Sequence, residues 1–303
     1  MTIDDSLLTG EERCLFALRA LWRSRGFRQY RMSKFEEYDL YARNKDFLIS
    51  GSILSFTDVN GRLMALKPDV TLSIVRSGRD AAPETRKLYY HENVYRPAAH
   101  GGPFRELTQA GVELQGALGP EDIAETLALA AESLALASPD WRLAVSHLGV
   151  VTGLLDRLGA EGERREALLN CVARKNAGEL AALCAFAPAE AAEGLLSLLR
   201  CSGKPAETLP LLRSLGCGDA AAELETVTAG LQGIRIDFSI VSNLNYYNGV
   251  VFEGYVSGAP GRVLSGGQYD RLMRKLGRSD RAIGFALYMD QLERLLEEGG
   301  AEA

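Results

Sequence analysis

One run of eleven residues, RELTQAGVELQ from Arg105 to Gln115, carries an amide and a carboxylate at a spacing that suits a small ligand. Read as a β-strand with a period of two, it sends Ala110, Val112 and Leu114 to one face and Gln109, Gly111 and Glu113 to the other. Gln109 and Glu113 then lie roughly 13 Å apart along the strand. Gly111 between them leaves an open floor, so two long side chains leaning inward can bracket one amino-acid-sized molecule. The same alternation also describes an ordinary antiparallel strand with a wet polar face, and on this run alone that plainer reading is favoured.

Two further runs bear on the choice. NLNYYNGVVFEGYV places Tyr247, Val251 and Glu253 on one strand face, and RVLSGGQYD follows with a Gly266-Gly267 turn that brings Tyr269 to the start of a helix. Tyrosine pairs more often pack across strands than bind ligands, so each run is weak evidence by itself. His91, His100 and His147 are isolated, and Cys14, Cys171, Cys184, Cys201 and Cys217 form no CxxC pair, so neither a metal site nor a redox couple is expected. No P-loop, GxGxxG, HExxH or GxSxG motif is present, and Gly266-Gly267 reads as a tight turn rather than a phosphate nest. No cofactor is expected.

The elements that must position these residues are legible in outline. Leu15, Leu18 and Trp22 recur at helical spacing and Gly26 ends the helix, while Pro120, Glu121 and Asp122 open a second one with Ile123, Leu127, Ala130 and Leu134 on one stripe. TDVNG at 57–61 reads as a hairpin turn between Ile53–Phe56 and Leu63–Leu66, and Leu88–Tyr95 pairs with Arg105–Gln115 around the Pro97–Pro103 loop. From about residue 150 to 230 the chain becomes Ala- and Leu-rich, which predicts a helical insertion. Strand signals return at Ile234–Val241 and Tyr247–Val256, followed by a helix near Tyr269–Leu276 and a strand-to-helix unit from Ala282 to Glu297. The expectation is an α+β fold, with 1–149 and 233–303 forming a discontinuous core and 150–232 the insertion.

Composition narrows the class. The chain has 303 residues, 47% of them hydrophobic, enough for a substantial core. A formal charge of −6 argues against a broad nucleic-acid surface, and Arg23, Arg25, Arg28 and Arg31 read as a solvated face whose first members complement a helix dipole. Five unpaired cysteines, an acidic N-terminus and no apolar run of about 18 residues predict a cytoplasmic location with no membrane contact.

Taken together and in order, FTDVNGRLMALKPDVT, RKLYYHENVYR, RELTQAGVELQG, NLNYYNGVVFE, SGGQYDRL and AIGFA resemble the catalytic core of class II aminoacyl-tRNA synthetases, and among them histidyl-tRNA synthetase. The likeness runs from about residue 10 to 297. It implies an antiparallel sheet flanked by helices, usually dimeric, and a pocket in which Asp69, Thr71 and Gln109 hold an ammonium group, Glu113 and Tyr247 read an imidazole, and Tyr269 closes the site. A neutral imidazole offers one donor and one acceptor, which a carboxylate and a hydroxyl together satisfy.

The departures from that family are as informative. Of three arginines that serve adenylation in it, Arg96 is present, whereas the other two fall on Gln291 and Ser242; Tyr288 stands where the family has glycine and sets a ring in nucleotide space. A shift that would place Arg294 in the role of Gln291 breaks the AIGFA register. Losing two guanidinium groups removes transition-state stabilisation worth roughly 3–4 kcal/mol per donor, so adenylation is expected to be very slow. Ser33 replaces a proline of the first motif, at the dimer interface, and the chain stops where a synthetase continues into an anticodon-binding domain, so no tRNA is expected. This combination is similar to the regulatory-subunit family of ATP phosphoribosyltransferase. The resemblance implies a non-catalytic protein with a histidine pocket of Asp69, Thr71, Arg96, Gln109, Glu113, Tyr247 and Tyr269. Its partners would be L-histidine and a short-form catalytic subunit of the first step of histidine biosynthesis, in a hetero-oligomer built on a homodimer. The competing readings are a degenerate or stand-alone synthetase core that still forms an adenylate, and a synthetase-like paralogue that binds another amino acid or a different protein.

Overall fold

The computed structural model describes residues 7–48, 52–78, 85–98, 102–241, 244 and 246–300, with side chains through 297. Helix α1 (Gly10–Ser24) starts where Thr9 and Glu12 cap one another: the Glu12 N–H donates to Thr9 Oγ1 at 3.1 Å and the Thr9 N–H to Glu12 Oε2 at 2.9 Å. It stops at Gly26, whose φ of 83° is open to glycine without strain. Two short strands follow, β1 (Arg28–Gln29) and β2 (Phe35–Glu37), then α2 (Tyr38–Ala42). The expected hairpin forms as β3 (Ser55–Thr57) and β4 (Leu63–Leu66), its turn held by Asp58 Oδ1, which accepts from the Asn60 and Arg62 N–H groups at 2.8 and 2.9 Å. After α3 (Thr71–Ser77) come the long strands β5 (Arg86–Pro97) and β6 (Phe104–Gly116), paired antiparallel from Arg86 opposite Gln115 to Pro97 opposite Phe104.

Helix α4 (Pro120–Ala137) buries the whole predicted stripe of Ile123, Leu127, Ala130 and Leu134. Strand β7 (Trp141–His147) leads into the Ala/Leu-rich segment, which folds as α5 (Leu148–Arg157), α6 (Gly162–Ala173), α7 (Ala177–Leu183), α8 (Ala189–Arg200), a two-residue strand β8 (Ser202–Gly203), α9 (Pro205–Ser214) and α10 (Gly218–Thr228). The chain closes with β9 (Ile234–Asp237), β10 (Val250–Val256), β11 (Leu264–Gln268), α11 (Asp270–Lys275), β12 (Arg281–Tyr288) and α12 (Met289–Gly300).

The strands make a nine-stranded sheet in the order β1-β5-β6-β12-β11-β10-β7-β9-β8 and a small sheet β2-β4-β3. The span from β5 to β7 is antiparallel as expected, whereas β1 on β5 and β7 on β9 are parallel, so the sheet is mixed at its flanks. Gly266 and Gly267 do not form a turn. They lie inside β11, because a Cβ on Gly266 would stand 2.5 Å from the Gly284 carbonyl oxygen and from Phe252, and one on Gly267 2.8 Å from Val251.

Helices α1, α4 and α12 cover one face of the large sheet, and Val112, Leu114, Phe252 and Phe285 pack up against them. The insertion joins this core rather than standing apart from it: Leu154, Leu168, Leu195, Leu212 and Leu224 belong to the same apolar cluster. Among the described residues no helix is long and apolar enough to cross a membrane, and all five cysteines are buried thiols. Trp22 sits at the centre of the helix side, 0% exposed, with Tyr89 and Phe285 rings 5.9 and 6.4 Å away and its Nε1–H donating to Ser133 Oγ at 3.0 Å. Trp22→Ala is therefore expected to lower the unfolding free energy by roughly 3–5 kcal/mol, read from urea denaturation, and a loss below about 1 kcal/mol would show that the helix layer is not anchored there.

Candidate ligand-binding site

The opposite face of the sheet carries the predicted residues. Because residues facing one another across antiparallel strands point the same way, the register lays out two rows: Glu113, Gly284, Gly267 and Val251 in one, and Tyr90, Gly111, Ala286, Ser265 and Glu253 in the next. The middle of both rows is glycine, alanine or serine. A floor almost without side chains results, and each glycine is required by something beside it. A Cβ on Gly284 would stand 2.0 Å from Glu113 Oε2, and one on Gly111 would stand 2.7 Å from the Tyr90 hydroxyl.

Above this floor is a cavity of about 450 Å³ lined by all seven predicted residues: Asp69, Thr71, Arg96, Gln109, Glu113, Tyr247 and Tyr269. The polar face of β6 is not a wet one, since Gln109 and Glu113 are 3% and 2% exposed. What covers it comes from helix starts. Thr71, first residue of α3, donates from Oγ1 to Glu113 Oε1 at 2.5 Å, and Tyr269, immediately before α11, donates from its hydroxyl to Glu113 Oε2 at 2.6 Å. Asp69 Oδ1 accepts from the Leu72 N–H at 2.8 Å, fixing the first turn of α3. Arg96 is anchored at the rim, its Nε donating to the Pro68 carbonyl at 2.6 Å and a terminal nitrogen lying 3.9 Å from Asp69 Oδ2.

The arrangement corrects one detail of the sequence reading. Tyr247 precedes β10 instead of lying on it, because the strand begins only at Val250, yet its ring still stands over Gly267. Tyr269, expected to close the site, bonds directly to Glu113. Burial pushes the Glu113 carboxyl from 4.5 up to about 8, with Thr71 and Tyr269 opposing the shift and nearby Asp69 adding to it. Burial also raises Asp69, against the pull of Arg96.

Of the positions tied to adenylation, Tyr288 lines the cavity and shares a 2.5 Å hydrogen bond with Ser265 Oγ. Gln291 is not on the cavity wall; its Nε2 donates to its neighbour Asp290 at 3.0 Å. Arg294 is exposed on α12, and Ser242 lies outside the described residues, as does His100. His91 meets Arg19 and His147 meets Glu223, each at 3.1 Å. The sequence reading missed Tyr90, Arg262 and Ser265 on the cavity wall. Tyr90 had a usable signal, its pairing opposite Gly111. Arg262 had none, lying in a Gly-Ala-Pro-Gly loop that reads only as a turn.

A carboxyl whose folded pKa lies above its unfolded value holds its proton longer in the native state, so native stability falls as pH rises from about 4.5 to about 8. Glu113→Gln removes that slope. Relative to the parent, the variant should gain on the order of 1 kcal/mol per pH unit across this window in denaturation experiments. A difference independent of pH would mean that Glu113 is not held neutral.

Comparison with known proteins places this geometry in a family. The family model described as histidyl-tRNA synthetase matches residues 6–292. The ATP phosphoribosyltransferase regulatory subunit of Symbiobacterium thermophilum is 35% identical over 83% of this chain and 67% of its own length, and that of Moorella thermoacetica is 34% identical over 93% and 76%. A crystal structure described as an ATP phosphoribosyltransferase regulatory subunit/histidyl-tRNA synthetase from Bacillus halodurans superimposes with a TM-score of 0.83 at 28% identity, covering 95% of this chain and 79% of that one. The chain belongs to the histidyl-tRNA synthetase family, in its branch of ATP phosphoribosyltransferase regulatory subunits.

Proposed function

We propose that this chain is the non-catalytic regulatory subunit of an ATP phosphoribosyltransferase, required for the activity of a short-form catalytic subunit in the first step of histidine biosynthesis, and that it senses L-histidine in the cavity above β6. The relatives' shared identity as such subunits carries the first half of the reading. The second half rests on the convergence of Asp69, Thr71, Gln109, Glu113, Tyr247 and Tyr269 on one amino-acid-sized space. Within it the ammonium group is assigned to Asp69, Thr71 and Gln109, and the imidazole to Glu113 and Tyr247. Arg96 orients Asp69.

Burial pushes the Glu113 carboxyl up to about 8, so it holds its proton near neutral pH. With an imidazole beside it, that one proton is shared between carboxyl and ring, a charge-assisted bond that a glutamine cannot make. The core, 1–149 with 233–303, supplies the sensor. The insertion at 150–232 and a homodimer interface near Ser33 are the proposed routes to the rest of a cytoplasmic hetero-oligomer. Coupling of this kind is reciprocal: whatever active arrangement histidine weakens must itself weaken histidine binding, typically by about 1–3 kcal/mol.

Three measurements test the reading. ATP–pyrophosphate exchange with histidine should stay at background, because Gln291 offers no cation and Tyr288 occupies the cavity wall; exchange within a few-fold of a working synthetase would instead establish the adenylate-forming alternative. Mixed with a short-form catalytic subunit, the chain should raise its activity and make it sensitive to histidine. Glu113→Gln should keep the activation but weaken histidine binding by roughly 1.5–3 kcal/mol at neutral pH, moving the inhibition curve by the corresponding factor. Identical inhibition of variant and parent would remove the pocket from the regulatory path.

A further inference from the structure

We infer that Arg262 anchors the α-carboxylate of the bound amino acid and so restricts the pocket to free zwitterions. The inference rests on the histidine-sensing reading above and deepens it. A zwitterion brings two charges, and the groups assigned so far answer only one of them. Asp69 and Gln109 define the ammonium position on the β5–β6 side, and the carboxylate, bonded to the same carbon, must turn from the Asp69 side chain toward the β11 side of the cavity. The described cavity wall carries two cations, Arg96 and Arg262. Arg96 is buried, its Nε bonded to the Pro68 carbonyl and one terminal nitrogen 3.9 Å from Asp69 Oδ2, so it stands beside the acid that the ammonium group uses.

Arg262 approaches from the far side. It lies in the loop between β10 and β11, where one terminal nitrogen donates to Glu253 Oε1 at 2.7 Å. Glu253 occupies the end of the row Gly111, Ala286, Ser265, Glu253, so three strand spacings, roughly 14 Å, separate it from Gly111. Alanine and serine are the side chains of the row between Gly111 and Glu253, and the Tyr288 hydroxyl is held against Ser265 beside it. Its side chain is 43% exposed, while the carboxylate that holds it is 9% exposed. The paired hydroxyls of Ser265 and Tyr288 stand beside the path as further donors.

The ion pair with Glu253 leaves donors on the guanidinium to spare. A guanidinium has five N–H donors and spends one of them on Glu253, so an incoming carboxylate takes others in a bidentate fork. Glu253 keeps the Tyr255 hydroxyl, which donates to Oε2 at 2.6 Å, when Arg262 turns. Arg262 also lines a second cleft, formed with Asn170 and Ala173 of α6 and with Asp237. Its swing toward the ligand therefore changes a wall shared by the sensor pocket and the insertion.

Calorimetric titration of the full chain with L-histidine and with histamine, which keeps the amine and ring but lacks the carboxylate, separates this role from general damage. Arg262→Gln should weaken L-histidine by roughly 10- to 100-fold and change histamine less than about threefold. Glu253→Gln, which removes the competing partner, should tighten L-histidine a few-fold. Equal losses for both ligands in Arg262→Gln, no loss for L-histidine, or weakened L-histidine binding in Glu253→Gln would overturn the assignment. A parent chain that binds L-histidine and histamine equally well would overturn it too and leave the histidine-sensing reading standing, whereas a parent that binds neither would remove that reading as well.

Discussion

Burying an ionisable carboxyl in the middle of a sheet carries a large desolvation penalty, and the pocket is arranged around that penalty at Glu113. Its two oxygens accept from Thr71 and Tyr269, so the starts of α3 and α11 are both tied to one strand position. Gly284 must lack a side chain to leave Glu113 room, and Gly267 in the same row must lack one for Tyr247 and Val251. The small floor is thus a steric consequence of the carboxyl and its neighbours. The helix layer on the other face, centred on Trp22, holds β6 and β12 in the register that makes these contacts coincide.

A site of this kind suits recognition better than adenylation. Reading a small polar ring requires a few fixed polar groups out of solvent, and Gln109 and Glu113 are both buried on the cavity wall. Transferring an adenylyl group requires cations aimed at phosphates. Here the side chain on the corresponding part of the wall is the Tyr288 phenol, tied to Ser265, and Gln291 turns to Asp290. The same fold that positions a substrate in a synthetase can therefore report occupancy when the groups that drive chemistry are replaced.

Much of this was legible in the sequence because two periodicities are strong. The alternation in RELTQAGVELQ put Gln109, Gly111 and Glu113 on one face, and the stripe after Pro120 defined α4. What covers a strand is not encoded in the strand, so the burial of that polar face could not be read from alternation alone. Gly266-Gly267 looked like a turn because glycine pairs usually are, and only the crowding by Phe252, Phe285 and Val251 explains their place inside β11. The two-residue strand Ser202–Gly203 and the parallel pairs at the sheet flanks depend on long-range pairing with no local signature. Arg262 has no local signature for the same reason: its partner is Glu253 on β10, not a residue of its own loop.

The central claim is that Glu113 is neutral in the empty pocket and shares its proton with a bound imidazole. Calorimetry of L-histidine binding in buffers of different ionisation enthalpy counts the protons exchanged, and subtracting the count for Glu113→Gln cancels contributions from the ligand's own groups. Near pH 7 the free carboxyl already carries the shared proton, so the difference should be close to zero; about one unit above its pKa of about 8 the free carboxyl has lost it, and the difference should approach one proton taken up per site. A difference that stays at zero across that range would contradict the account.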